Sequence, residues 1–131
     1  MALTLPLLLL VSVSIFEFGR AYQTWEVLTN AAREGARVAV LPNPGAGAAE
    51  ARVRSYMASG QLANRDAATV NIANTQVDIG GGGTASASRV TVSYPFEFMV
   101  LQPVAGLVAG GSTLGSAFNM TAIAEMRNET Q

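Results

Sequence analysis

The feature that most restricts how this chain can fold is an apolar run at its start. Residues 1–16 contain no charged side chain, and Leu7 to Leu10 are consecutive leucines. A helix that is apolar on every side suits full burial or lipid better than one face of a small domain. Sixteen helical residues span about 24 Å, somewhat less than a bilayer core of about 30 Å. The side chains that we assign to a segment buried in a membrane or among copies of the same helix are Leu3, Leu5, Pro6, Leu7, Leu8, Leu9, Leu10, Val11, Val13, Ile15 and Phe16.

Three interpretations of this apolar run compete. A cleavable secretory signal needs a basic leader and a small-residue cleavage site, whereas no basic residue precedes the run and Ile15-Phe16-Glu17-Phe18 follows it. A buried core helix is the second interpretation. The third, which we favour, is a helix that lies in a membrane or packs against copies of itself, because the helical pattern continues without a break after Phe16.

Residues 17–41 continue the helical pattern with apolar residues on one side only. That stripe recurs at steps of three and four residues and consists of Ala21, Trp25, Leu28, Ala32, Gly35, Ala36 and Ala39. Leu41-Pro42 ends it, since proline lacks the amide donor and biases the preceding residue away from helix. We therefore predict one helix of about forty residues, hydrophobic in its first half and amphipathic in its second, with a kink or loosening at Pro6.

The rest of the chain predicts a short helix followed by strands. Residues 46–62 have a helical pattern that ends near Gly60. Alternating patterns at 69–79, 89–94 and 119–127 predict strands, and Pro95 is expected to end the second of these or to place it near a sheet edge. Residues 101–115 are interrupted by Gly and Pro, which predicts a loop or one short helical turn. The predicted fold is α+β, with the long helix packed on a small antiparallel sheet of about three strands.

The helix stripe and the sheet are expected to form one core. Each has an apolar face that needs a cover, and the chain offers these faces to each other. We therefore expect Trp25, Leu28, Ala32 and Ala36 to cover the strands at 89–94 and 119–127. Trp25 is the only tryptophan, and with Leu28 and Ala32 it is the predicted centre of this helix–sheet core.

The composition excludes most kinds of site chemistry. The chain has no Cys and no His, which excludes disulfides, the usual zinc or haem ligands, and Ser-His or Cys-His catalytic pairs. The 8 basic residues are all arginines, against 9 acidic residues, and they form no basic block that would bind nucleic acid. We therefore expect no enzyme activity, no cofactor, no metal and no nucleic-acid partner.

Charged side chains on the long helix are candidates for contacts at a membrane boundary or between subunits. Glu17, at the end of the apolar run, suits the membrane–water boundary, and Arg20 three residues later is placed to pair with it. Arg33 and Arg37 are like charges four residues apart, which Glu34 or an acidic group on a neighbouring subunit would compensate. The alternative for these arginines is an ordinary solvated face.

Three linked blocks in the first 41 residues resemble one protein family. They are Leu5-Pro6-Leu7-Leu8-Leu9-Leu10, Phe16-Glu17-Phe18-Gly19-Arg20 and Asn30-Ala31-Ala32-Arg33-Glu34-Gly35-Ala36-Arg37. Together they resemble the N-terminal signature of TadE-like proteins, the pilin-like proteins of tight-adherence (Flp-type) pilus systems. The leading glutamate of the family pattern would align just before Met1, and the fifth position, usually glutamate in mature pilins, is Leu5 here.

The resemblance implies a type IV pilin-like molecule that is made as a precursor and cut by a prepilin peptidase. It implies a structural subunit that the N-terminal helix holds in the inner membrane before the pilus assembly machinery adds it to a cell-surface filament. The implied partners are copies of the same chain in a helical homo-oligomer. We accordingly divide the chain into a hydrophobic helix half, residues 1–20, and a pilin-like globular domain, residues 21–131.

Two other functions stay open from the sequence. The first is a membrane-anchored minor pseudopilin or assembly factor of a Tad secretion system that does not polymerise. The second is a membrane-tethered enzyme or binding module, which the absence of His, Cys and Lys and of a paired-carboxylate motif disfavours.

Overall fold

A computed structural model describes residues 2–108, 110, 111, 113 and 116–128. The elements are helix α1 (Thr4–Ala39), helix α2 (Ala48–Ser59), a 3-10 turn (Arg65–Ala67), strands β1 (Thr69–Gly80) and β2 (Gly83–Phe96), helix α3 (Leu101–Val108) and strand β3 (Phe118–Arg127). The long N-terminal helix packs on a three-stranded antiparallel sheet. This arrangement confirms the predicted α+β, pilin-like fold.

Helix α1 has 36 residues, which is about 54 Å at about 1.5 Å per residue. Pro6 is its third residue and lies in the first turn, where backbone N–H groups have no partner inside the helix. The missing donor of Pro6 therefore removes no helical hydrogen bond, and α1 continues through Pro6 rather than being loosened there. The last turn closes with the Leu41 N–H donating to the Val38 carbonyl at 3.2 Å, just before Pro42.

The sheet has the order β1-β2-β3, with both neighbouring pairs antiparallel. β1 and β2 form a long hairpin in which Thr69 pairs with Ser93 and Asp78 with Thr84. Gly80, Gly81 and Gly82 all have positive φ, a backbone conformation that glycine adopts without steric cost. The run of glycines is therefore a hairpin connection.

Pro95 lies in the central strand β2, which corrects the expectation that it ends the strand or marks a sheet edge. On one side Pro95 pairs with Asn119 of β3. On the other side β1 does not extend as far as Pro95, because the first residue of β1, Thr69, pairs with Ser93. The Pro95 carbonyl on that side accepts a hydrogen bond from the Asn64 side-chain amide at 3.3 Å. The strand tolerates the proline because no ladder bond is needed at this position.

The core lies between α1, α2 and the inner face of the sheet. Leu28, Ala32 and Ala36 of α1 are fully buried there. The same buried cluster includes residues of α2 and of the strands, namely Val53, Met57, Val90, Val92, Met120, Ala122 and Ala124.

Trp25 does not belong to this core, which corrects its predicted position. Its side chain is 43% exposed, whereas Thr24 is buried. The buried face of α1 follows Glu17, Ala21, Thr24, Leu28, Ala31 and Gly35, and successive residues of a helix point about 100° apart. One residue of difference therefore turns Trp25 away from the sheet.

Helix α3 is longer than the loop or single turn predicted for residues 101–115. Its eight residues bury Leu101, Val104 and Ala105, a spacing of three and four that gives one covered face. Pro103 is in the first turn, where a proline costs no helical hydrogen bond. Of the predicted loop, Ala109, Ser112, Leu114 and Gly115 lie outside the described residues.

Candidate functional site

The N-terminal half of α1 is apolar and largely uncovered. Leu3 is 90% exposed, and Leu5, Leu8, Ile15 and Phe16 each exceed 60%. Within the described part of the chain, α1 is the one helix long and apolar enough to cross a membrane, and only 11% of its most apolar window is buried. The interpretation as a buried core helix is therefore wrong.

The two serine hydroxyls inside the apolar run are satisfied by the helix itself. The Ser12 hydroxyl donates to the Leu8 carbonyl at 2.9 Å, and the Ser14 hydroxyl donates to the Leu10 carbonyl at 2.7 Å. A hydroxyl that bonds back to the preceding turn exposes little polarity to its surroundings. The run is therefore compatible with lipid or with an apolar helix neighbour over its whole length.

Helix α3 lies beside the apolar run and contacts α1. Leu10, Val13 and Ser14 are the run positions with reduced exposure, and they share a face with Glu17 further along the helix. The run and α3 enclose a groove of about 620 Å³ lined by Leu3, Leu5, Pro6, Leu7, Leu9, Val104, Leu107 and Val108. No charged residue occurs between Glu97 and Glu125, so α3 adds apolar surface to that of the run.

Glu17 is the first charged residue of the chain, and the fold encloses it completely. Its side chain is 0% exposed. The Glu17 Oε2 accepts hydrogen bonds from the Met99 backbone N–H at 2.9 Å and from the Arg20 Nη2 at 3.1 Å. An ionised carboxylate removed from water is very costly unless it is paired and hydrogen-bonded, and these contacts supply both kinds of partner. The pairing with Arg20 occurs as the i,i+3 spacing predicts.

Arg20 connects the end of the apolar run to the chain that leaves β2. Its Nη2 also donates to the Glu97 carbonyl at 2.5 Å, and its guanidinium carbon lies 4.7 Å from the centroid of the Phe96 ring. A cation over an aromatic face is stabilised by the ring quadrupole, more so where water is excluded. Among the described residues, the Glu17 Oε1 and the Arg20 Nε are buried without a hydrogen-bond partner, so the pair is enclosed but not fully satisfied.

The Phe96 ring that faces Arg20 belongs to a cluster of four phenylalanines. The Phe18 ring lies 6.1 Å from Phe98, Phe98 lies 5.2 Å from Phe96, and Phe118 lies 5.6 Å from Phe96. Ring pairs at these distances and inclinations are favourable beyond their buried area. The cluster joins α1 to both ends of the uncharged segment that contains α3.

The structure separates the other predicted charges into two groups. Glu34 binds Arg37 at 3.3 Å on α1 and Arg52 of α2 at 3.1 Å. The hydrogen bond from Arg52 is the largest cause of a lowered pKa at Glu34, and the charges of Arg37 and Arg52 lower that pKa further. Arg33 instead lines a shallow depression with Tyr22, Trp25 and Glu26.

Sequence reasoning missed the partners that distant segments bring to this site. Met99 and Glu97 reach Glu17 and Arg20 through backbone atoms, which leave no signature in the sequence. The one available signal was the absence of charge from Phe98 to Ala124, which matches the apolar character of the run. Among the described residues, no group of three or more His, Cys, Asp or Glu is placed to hold a metal ion.

The family comparison agrees with the N-terminal motifs. The model of the family described as TadE-like protein matches residues 1–37, which span all three motif blocks and confirm the predicted resemblance. Comparison with curated proteins finds no match, and comparison with solved structures finds none either. The match and the uncovered apolar helix together fit a membrane-anchored pilin-like protein of a Tad system.

Proposed function

We propose that this protein is a structural subunit of a Tad-type, type IV-like surface filament. In this proposal the N-terminal half of α1 holds the subunit in the inner membrane before assembly, and copies of the chain pack their apolar runs together in the filament. A prepilin peptidase and the pilus assembly machinery are the further partners, and the chain carries no catalytic activity.

The observation that carries the proposal is an uncovered apolar run on a protein whose remaining part has its own core. Covering a Leu-sized side chain is worth about 1.5–3 kcal/mol, so leaving the run in water costs on the order of 15–20 kcal/mol. A bilayer removes this cost before assembly, and a bundle of identical helices removes it afterwards. Both environments need the same uncharged surface.

A matched pair of substitutions tests the role of the run. Leu9 and Leu41 are 52% and 46% exposed, and only Leu9 lies within the run. We expect Leu9→Arg to lose membrane insertion, because a charge at the centre of a spanning helix costs about 2.5–3.5 kcal/mol on insertion scales. Leu41→Arg should insert normally. Membrane flotation of both variants measures this, and normal insertion of Leu9→Arg would contradict the proposal.

A filament subunit and a non-polymerising anchored factor differ in abundance. A major subunit should dominate the material sheared from the cell surface, whereas an assembly factor should remain with the membrane and appear there only in trace amounts. Quantifying the chain in both fractions, with Leu9→Arg as the assembly-negative control, separates the two functions.

A further inference from the structure

The uncovered face of α1 does not stop at the end of the apolar run. Phe18, Tyr22 and Trp25 are all exposed, and their spacing of four and three residues places them on one face of the helix. The same face carries Val11 and Ile15 of the run. An aromatic stripe therefore continues the apolar surface of the run by two further turns.

Two side chains of this stripe are amphipathic and have free polar ends. In the part of the chain that the structure describes, neither the Tyr22 hydroxyl nor the Trp25 indole N–H has a hydrogen-bond partner. Tyr and Trp concentrate at the surfaces of bilayers, where the ring contacts acyl chains and the polar end reaches headgroups or water. The next charged side chains along the helix are Glu26 and Arg33.

The length of α1 places the stripe at the right depth. Leu3 to Phe16 spans about 21 Å of helix, which is short of a bilayer core of about 30 Å. Leu3 to Tyr22 spans about 30 Å, and Trp25 lies about 4.5 Å further along. A lipid contact from Leu3 to Tyr22 therefore has the length of the hydrocarbon core.

Two charged residues lie between Phe16 and Tyr22, and the fold shields both of them from solvent, Glu17 wholly and Arg20 in part. Glu17 is wholly enclosed, and the Arg20 side chain is 29% exposed with its guanidinium on Glu17. A charged pair at this level is tolerated when it is paired and covered by protein; Glu17 is fully buried, and the Phe96 ring lies against Arg20. An arginine near a helix end also extends its head toward the interface.

We propose that the surface of a phospholipid bilayer lies at Tyr22 and Trp25, with the Glu17–Arg20 pair below it. This differs from the depth expected from sequence, which put the boundary at Glu17, and it rests on the proposed membrane anchoring. The part of the globular domain around Phe96, Phe98 and Phe118 is then seated in the membrane surface rather than held away from it.

Trp25 is the only tryptophan, so its fluorescence in the full-length protein reports this depth directly. The protein is reconstituted in phosphatidylcholine vesicles whose acyl chains carry bromine near the headgroup or near the chain end. We expect a blue-shifted emission that the shallow bromine quenches more strongly than the deep one. Moving the indole with Phe18→Trp and Trp25→Phe places it about 10.5 Å deeper, and the preference should reverse. Leu41→Trp with Trp25→Phe places it far outside and should show no quenching.

Three results would overturn the inference. Quenching of the indole at position 18 but not at 25 would put the boundary back near Glu17 and leave the anchoring intact. A blue-shifted but unquenched Trp25 in a protein that cross-links to itself would show that a second copy covers the stripe. Failure of every variant to float with vesicles would remove the membrane anchoring itself, and with it this inference.

Discussion

At the scale of single residues, Glu17 shows how much a position depends on groups far away in the chain. It is the first charge after a long apolar segment, yet the Met99 N–H, 82 residues later, is one of its two hydrogen-bond donors. A carboxylate with both a cation and a backbone donor is far cheaper to enclose than an unpaired one. The apolar sequence therefore ends at a residue that also contacts a distant segment of the same protein.

Trp25 and Leu28, three residues apart, should respond very differently to truncation. Leu28 is fully buried, so we expect Leu28→Ala to lower the free energy of unfolding by about 2–5 kcal/mol. Trp25 is outside the core, and Trp25→Ala should cost less than about 1 kcal/mol, as surface substitutions do. Circular dichroism melts in detergent compare the two, and an equal loss would contradict the position of Trp25 described above.

At the scale of elements, α1 and α2 approach closely at Gly35. A Cβ on Gly35 would collide with the Val53 Cγ2, and it would lie 3.4 Å from the Val90 Cγ1. Val53 is fully buried and, being β-branched, has few alternative rotamers. Glycine at this position therefore sets the distance between the two helices.

The two glycines of α1 give a matched test of that contact. We expect Gly35→Ala to destabilise the protein by about 1–3 kcal/mol through overpacking. Gly19 has no atom within 4 Å of an added Cβ, so Gly19→Ala should be neutral or stabilise by up to about 1 kcal/mol through helix propensity. Thermal unfolding of the two variants measures the difference, and a Gly35→Ala protein as stable as the wild type would show that Val53 can move aside.

The second contact between α1 and α2 is electrostatic and depends on pH. Because ion pairing lowers the pKa of folded Glu34 below its ordinary 4.5, the contact stabilises the fold above that value and is lost as pH falls through the lowered one. We expect Glu34→Gln to reduce the melting temperature at neutral pH, and the difference from wild type to shrink in acid. Glu26→Gln, on the exposed face, is the control. A difference that persists unchanged below the lowered pKa would refute the electrostatic origin.

At the scale of the whole molecule, contacts between α1 and the globular domain extend to the N-terminal side of the boundary drawn at residue 21. Glu17 and Arg20 both bind the chain at 97–99, and these contacts tie α1 to the end of β2. A soluble unit that starts at Ala21 would lack them. The apolar run and the globular domain therefore share the turn of helix between Glu17 and Arg20.

Truncation tests where the fold begins. We expect a fragment of residues 14–131 to be more stable than one of residues 21–131 by about 1–3 kcal/mol, the usual value of hydrogen bonds to a charged group. Glu17→Ala in the longer fragment should remove most of that gain. Chemical unfolding of the three proteins measures it, and equal stability would place the start of the fold at Ala21 after all.

Periodicity in the sequence was sufficient to predict most of the elements, and the motif blocks in the first 41 residues predicted the family resemblance. The uncharged run, the stripe at steps of three and four, and the alternation around Val90 and Ala122 depend only on neighbours in the chain. The predicted long helix and antiparallel sheet follow from such local patterns. Their errors were local as well: α3 was missed because Pro103 and Gly106 were taken to interrupt a helix, although Pro103 stands in its first turn.

Only the tertiary structure decided which way each element faces and what closes the site. Thr24 and Trp25 both fit an amphipathic helix, and the sheet that selects Thr24 comes from strands more than 60 residues later. The enclosure of Glu17 by Met99 and the pairing of Glu34 with Arg52 likewise join segments that no local pattern connects. The physical reason is that a helix's period is a property of its own residues, whereas its rotation about its axis is set by the surface that it packs against.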